Sequence, residues 1–388
     1  VTRRVAGFTS TESKRPEVLF GAESAGLPRL MSRAAGCTVW DAEGREYLDY
    51  IMALGAVALG YGHPDVSRAA GDAIARGVVG PLAAELEEDL AGELCRLIPW
   101  IERVRFLKTG AEAVAAAVRL ARLATGRDQV LGCGYHGWLD WCQTGEGGGV
   151  PAATRALYAE LPYNDAERSR ELIRSRGDRL AAVVFEPFIL EAPHPAWLGV
   201  LREETARAGA LLVADEIKTV CRLAIGGGCE RFGIRPDLVV TGKAIANGFP
   251  LAAVGGRAEV MEGVARTWIS STLATELVSL AAARATLAVV LEQDLPAHLF
   301  RVGARLLAGL RALAARHERV VSAVRGAEQM CFLECRDEAL SSGLAAACAR
   351  RGLLFKRSAY NFVSLAHDEA TVDRTLGLLD EVLGALGR

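Results

Sequence analysis

Apolar runs recur between residues 104 and 241, and each stops at a small or charged residue. They read VRFL, QVLG, AAVVF, ALLVA and LVV. Runs this short, rich in valine and leucine and without polar alternation, predict strands buried on both faces. Helical stretches separate several of them. AEAVAAAVRLARLATG is alanine-rich and closes at Gly126, and WLGVLREETARAG has helical periodicity. Buried strands alternating with helices predict an α/β fold with a mainly parallel sheet covered on both faces.

The chain ends read differently. CTVWDAEGREYLDY (37–50) places the turn residues Ala-Glu-Gly between two short strands, which predicts a hairpin. From about residue 280 the pattern is helical through SLAAARATLAVVLEQ and LFRVGARLLAGLRALAARH. Two short strand candidates follow, GLLFKR and NFVSLA, before a last helix near 371–386. The expected organisation is a large domain over 49–285 and a smaller α/β domain built from both ends, 1–48 and 286–388. No internal repeat or long linker interrupts it.

Composition narrows the function classes. The 388 residues are 51% hydrophobic and 24% charged, with a formal net charge of −2. That balance provides no electrostatic footprint for nucleic acid or an anionic membrane. No apolar run reaches the length of a membrane span, and VTRRVAGFTSTESKRPE lacks the apolar core of a secretory signal. Nine scattered cysteines without a CxxC pair point to reduced thiols and a cytoplasmic location. Six histidines without HxxxH spacing predict no metal site.

In open α/β sheets ligands bind outside the carboxyl ends of the strands. Glu186 ends AAVVFE, Asp215 ends ALLVAD, and Lys243 follows LVVTG. Any one of them alone is compatible with a solvated loop residue; their shared position points to a site. A carboxylate behind five apolar residues needs a cationic partner, such as a protonated pyridine nitrogen. A lysine among glycines and alanines sheds its proton readily and can attack a carbonyl. Those are the two groups that pyridoxal phosphate demands. Its phosphate needs a cradle, and KTGAEAVAAAVRLAR offers a glycine loop opening a helix. Its ring needs a flat neighbour, and GYHGWLDW offers Tyr135 and His136. GEGGG (145–149) and GGG (226–228) lack the strand–GxGxxG–helix context of a nucleotide site.

Together these stretches resemble the class III (fold-type I) pyridoxal-phosphate aminotransferases, nearest the glutamate-1-semialdehyde aminomutase branch. The resemblance spans roughly residues 28 to 370 and includes WDAEGREYLDY, LGYGHP, FEP, LLVADEI, FGIRPDLVVTGKAIANGFPLAAVGGR and SLAH. It implies the fold-type I architecture and a homodimer with active sites at the interface. It also implies that Lys243 is the Schiff-base lysine and that Asp215 partners the ring nitrogen. Ile217 is similar to the aliphatic residue packed on one ring face, and Tyr135 to the aromatic on the other. Gly110 and Ala111 match the backbone that holds the phosphate. Thr272 resembles a threonine reaching the phosphate from the neighbouring subunit, and Glu191 a residue near the ring hydroxyl or substrate.

The departures fall on the substrate side. Ala111 replaces a threonine or serine, and Ala53-Leu54-Gly55-Ala56 stands where the aminomutase branch has Ser-Trp-Gly-Pro. Near Leu19 the carboxylate-binding arginine of that branch is replaced, Lys218 stands in place of methionine or glutamine, and Thr275-Glu276-Leu277 in place of Gly-Asn-Pro. The expected activity is transfer of an amino group between an amine donor and a carbonyl acceptor. An aminomutase or epimerase uses the same lysine and is the alternative; a non-catalytic pyridoxal-phosphate-binding protein is a more distant one. Glu191 and Glu276 add carboxylates able to meet a cationic amine.

Overall fold

The computed structural model describes residues 4–146 and 148–388. The first three residues of the opening stretch and Gly147 of the GEGGG tract lie outside the described residues. The chain divides into two compact units, Val1–His63 with Ala297–Arg388, and Pro64–Pro296.

The first unit opens with an antiparallel meander, β1 (Met31–Ala35), β2 (Thr38–Asp41) and β3 (Glu46–Asp49). Asp41 closes its β2–β3 turn. One carboxylate oxygen accepts the Glu43 and Arg45 N–H groups at 3.0 and 2.8 Å, and the other accepts Arg45 Nε and the Tyr47 hydroxyl. After β3 the backbone runs left-handed through Met52, Ala53, Leu54 and Gly55, with φ of 45°, 50°, 60° and 82°. Asp49 anchors that turn. Its buried carboxylate accepts the Ile51 and Met52 N–H groups at 2.7 and 3.1 Å and the Tyr61 hydroxyl at 2.8 Å. Burial pushes its carboxyl up to about 6, against the pull of those three hydrogen bonds.

The second unit holds a seven-stranded sheet in the order β4-β10-β9-β8-β7-β5-β6. Its strands are β4 (Arg103–Leu107), β5 (Gln129–Cys133), β6 (Tyr158–Glu160), β7 (Leu180–Phe185), β8 (Leu211–Asp215), β9 (Leu238–Thr241) and β10 (Ala252–Gly256). Only β10 runs against the rest. No crossover helix separates it from β9, so the chain turns straight back, as an antiparallel pair allows. Every residue of β7, β8 and β9 is buried, which explains their unbroken apolar runs. On one face, Ala182, Val184, Val213 and Val240 pack with Val114, Ala117 and Leu120 of helix Gly110–Thr125. On the other, Val183, Phe185 and Leu212 pack with Trp197 and Leu201 of helix Pro195–Arg207. Each fully buried valine, leucine or phenylalanine among them contributes roughly 1.5–3 kcal/mol.

The carboxyl-terminal part of the first unit corrects one expectation. GLLFKR and NFVSLA contribute only β13 (Leu353–Leu354) and β14 (Asn361–Phe362), while the principal strands are β11 (Val321–Ala327) and β12 (Met330–Cys335). β13 extends the meander, parallel to β3, and β11-β12-β14 form a second sheet. The β11–β12 hairpin escapes a pattern search because β11 has only Val321 buried. The last helix, Glu369–Leu386, lies where the periodicity puts it. Among the described residues no helix is long and apolar enough to cross a membrane.

Candidate active site

The parallel strands deliver their polar terminal residues to one edge of the sheet. Asp215 closes β8 with 3% of its surface exposed. Its Oδ2 lies 2.9 Å from His136 Nδ1, and its Oδ1 accepts the Ile217 N–H at 3.3 Å. A carboxylate only accepts, so the histidine proton sits on Nδ1. His136 is itself buried and stacks on Trp141, with ring centroids 6.1 Å apart. His136 therefore turns inward to orient Asp215 rather than outward. Tyr135, its neighbour, is 75% exposed.

Lys243 follows β9 by two residues and adopts a left-handed backbone, φ 49°. A side chain there costs roughly 1–2 kcal/mol. Among the described residues its ammonium makes no hydrogen bond or ion pair. Burial, then the charge of Lys218, lowers it to about 8; Glu186 and Asp215 oppose that shift and Arg222 adds to it. At pH 7 about a tenth of the amine is then neutral, roughly 300 times the ordinary lysine fraction.

Helix Gly110–Thr125 begins at the carboxyl end of β4 with a reciprocal cap. The Thr109 hydroxyl accepts the Glu112 N–H, and the Glu112 carboxylate accepts the Thr109 N–H at 2.9 Å. That leaves the N–H groups of Gly110 and Ala111 without partners among the described residues, at the positive end of a four-turn helix. Gly110 is needed for close approach, since a Cβ there would fall 2.3 Å from Ile217 Cδ1. Two free N–H groups suit a phosphate, a buried carboxylate suits a protonated ring nitrogen, and an unpaired low-pKa lysine suits an aldehyde. The residues present fit pyridoxal phosphate.

Two ion pairs flank this group. Lys218 pairs with Glu186, whose other oxygen accepts the Tyr135 N–H at 2.7 Å. Gly134, at φ +114°, lets Glu186 approach, because a Cβ there would lie 2.6 Å from Glu186 Oε1. Lys108 pairs with Glu276 at 2.6 Å, and Glu276 also caps helix Leu277–Glu292 through the Val278 and Ser279 N–H groups. The carboxylate that the sequence offers to a cationic amine is thus already engaged. Glu191 is exposed, with Oε1 3.4 Å from Asn164 Nδ2. Thr272 is exposed on the loop before helix Leu277–Glu292, and no hydrogen bond among the described residues joins it to the cluster. The sequence reading missed two pairings, His136 with Asp215 and Glu186 with Lys218. The apolar runs mark one member of each pair, Asp215 and Glu186, and carry no signal for its partner.

A buried Asp–His pair, an unpaired lysine and a helix-start cradle on one sheet edge define a fold-type I pyridoxal-phosphate enzyme. The sequence profile of the aminotransferase class-III family matches residues 20–382, and the chain belongs to that family. It is 36% identical to a glutamate-1-semialdehyde 2,1-aminomutase of Thermomicrobium roseum, covering 93% of this chain and 92% of that one. Among solved structures, the FumI protein of Sphingopyxis sp. MTA144, determined in its pyridoxal-phosphate form, superposes with a TM-score of 0.89. Identity is 29% over 96% of this chain and 95% of that one. An omega-transaminase from Sphaerobacter thermophilus superposes with a TM-score of 0.85 at 28% identity, covering 92% and 91%. The cofactor of the family is pyridoxal phosphate, and the chain is an enzyme of that chemistry.

Proposed function

We propose that the protein is a transaminase in which Lys243 carries the cofactor and moves the substrate proton. The observation that carries this reading is the buried, unpaired Lys243, two residues past β9, on the strand next to Asp215. The cofactor, when bound, supplies an aldehyde to the amine and a ring that accepts the electron pair left by a departing Cα proton. Gly110 and Ala111 offer N–H groups to its phosphate. Asp215, oriented by His136, keeps the ring nitrogen protonated, while Ile217 and Tyr135 bound the ring. Lys243 Nζ, neutral once displaced by substrate, takes the Cα proton and returns it, as its lowered pKa permits. Glu191, exposed beside Asn164, takes in this proposal the role near the ring hydroxyl or substrate that the resemblance gives it.

The aminomutase is the second reading, favoured by the names of the sequence relatives. Against it stand Leu19 and Ala53-Leu54-Gly55-Ala56, which remove the residues that branch uses on its small substrate. The working unit in this proposal is a homodimer with Thr272 reaching the partner's phosphate. Support comes from an exposed apolar strip, Ile74, Val78, Val79 and Leu82, tied to the Thr272 loop by the Leu277 N–H donating to the Val78 carbonyl at 2.8 Å. Nine unbonded cysteines support a cytoplasmic location.

The test is a single turnover with donor and no acceptor. A transaminase bleaches the cofactor and releases one carbonyl product per site; later acceptor restores the colour. Borohydride then fixes the cofactor on Lys243 in peptide maps. An isomerised donor with the colour retained makes the enzyme a mutase or epimerase, and an adduct on another lysine overturns the assignment.

A further inference from the structure

Three neighbouring strands end in three charged groups: Glu186 just past β7, Lys218 three residues past β8, and Lys243 two residues past β9. With Lys108, one residue past β4 and held by Glu276, three primary amines serve this sheet edge, and Lys218 and Lys243 lie on neighbouring strand ends. Their surroundings differ. Lys218 is clamped on Glu186, with side chains 12% and 10% exposed, and Glu186 is in turn fixed by the Tyr135 N–H. Lys243 has no such partner.

We propose that Glu186 and Lys218 form a charge-setting pair for Lys243. Glu186 keeps Lys218 charged and therefore non-nucleophilic, and the fixed charge of Lys218 disfavours a proton on Lys243. Chemistry is thereby directed to Lys243 rather than Lys218. Lys218 is a positioning residue, acting through Lys243. The inference rests on the reading of Lys243 as the cofactor lysine.

The electrostatics around Lys243 supply the reason. Its facing charges are Lys218 and Arg222, which disfavour the ammonium, and Glu186 and Asp215, which favour it. Burial acts first and Lys218 second. A carboxylate at salt-bridge distance has the opposite effect on Lys218 and stabilises its ammonium. Without Lys218, the two carboxylates would face a lone Lys243 and draw it back toward its ordinary proton affinity. Without Glu186, the two ammonium groups would repel, and either could give up its proton.

The experiment uses cofactor-free protein and competitive acetylation across pH, with each lysine read separately by peptide mass spectrometry. Wild type is expected to label Lys243 with a midpoint near 8 and to spare Lys218 until higher pH. Lys218→Met is expected to move the Lys243 midpoint upward, and Lys218→Arg, which keeps the charge, to leave it in place. Glu186→Gln retains an acceptor for the Tyr135 N–H while removing the charge, so it is expected to lower the midpoints of both lysines. In a Glu186→Gln, Lys243→Ala double variant, added pyridoxal phosphate and borohydride are expected to yield a secondary amine on Lys218. That product forms by loss of water and then hydride addition; Lys243→Ala alone gives none. An unchanged Lys243 midpoint in Lys218→Met, together with unchanged Lys218 labelling in Glu186→Gln, overturns the proposal and leaves the pair a structural brace. Because acetylation is read without cofactor, its outcome is independent of where borohydride fixes the cofactor in wild type. Failure of the Lys243 assignment is therefore seen separately.

Discussion

Lys243→Met should make the cofactor-free protein more stable, and by an amount the site sets. The buried ammonium titrates near 8 instead of 10.5. At 1.36 kcal/mol per pH unit, that difference is about 3 kcal/mol, spent at pH 7 on keeping a proton in a poorly solvated place. Between pH 8 and 10.5 the unfolded chain binds more protons at this residue than the folded chain, so wild-type stability rises with pH across that window. Methionine fills a similar volume and carries no charge, and the φ of 49° is equally unfavourable for both side chains. The assay is equilibrium urea unfolding of wild type and variant without cofactor, at pH 7 and pH 10 and equal protein concentration. The variant is expected to gain about 3 kcal/mol at pH 7 and most of that gain should vanish by pH 10. A gain of the same size at both pH values would sink the argument, because packing would then explain it. Equal stability at pH 7 would mean that the lysine is well solvated.

Asp49 has the complementary behaviour: with its carboxyl near 6, wild type should lose about 3 kcal/mol as pH rises from 3.8 through 6, and Asp49→Asn should lack that component in a pH series of unfolding free energies. Leu82→Glu, in the exposed apolar strip, should yield inactive monomers by sedimentation; an active, fully dimeric variant would remove the strip from the interface.

Much of the large unit was legible because strands buried on both faces leave an unmistakable signature, an apolar run with one polar residue at its end. Asp215 and Lys243 were found that way. The direction in which a loop side chain points is not written in such a run. GYHGW offered two flat rings, and only the fold shows that His136 goes in to Asp215 while Tyr135 stays out. Pairings across strands were equally hidden. Glu186 and Lys218 come from different strand ends, and Glu276 is taken up by Lys108 and by its own helix. The β11–β12 hairpin was missed because its exposed strand carries too little burial to show a period.

The left-handed turn at Met52–Gly55 bears on the order of folding. MALG holds nothing that favours its native handedness before the last residue, and the three side-chain-bearing positions oppose it by roughly 1–2 kcal/mol apiece. Local preference and final geometry therefore disagree, a small island of frustration in an otherwise consistent chain. Such a segment has little local preference to form early. In the native state the hydrogen bonds of Asp49 to the Ile51 and Met52 N–H groups and to the Tyr61 hydroxyl oppose that local preference. If the turn forms late, mutations within it are expected to register in the unfolding rate rather than the folding rate, which a denaturant series of both rates would check.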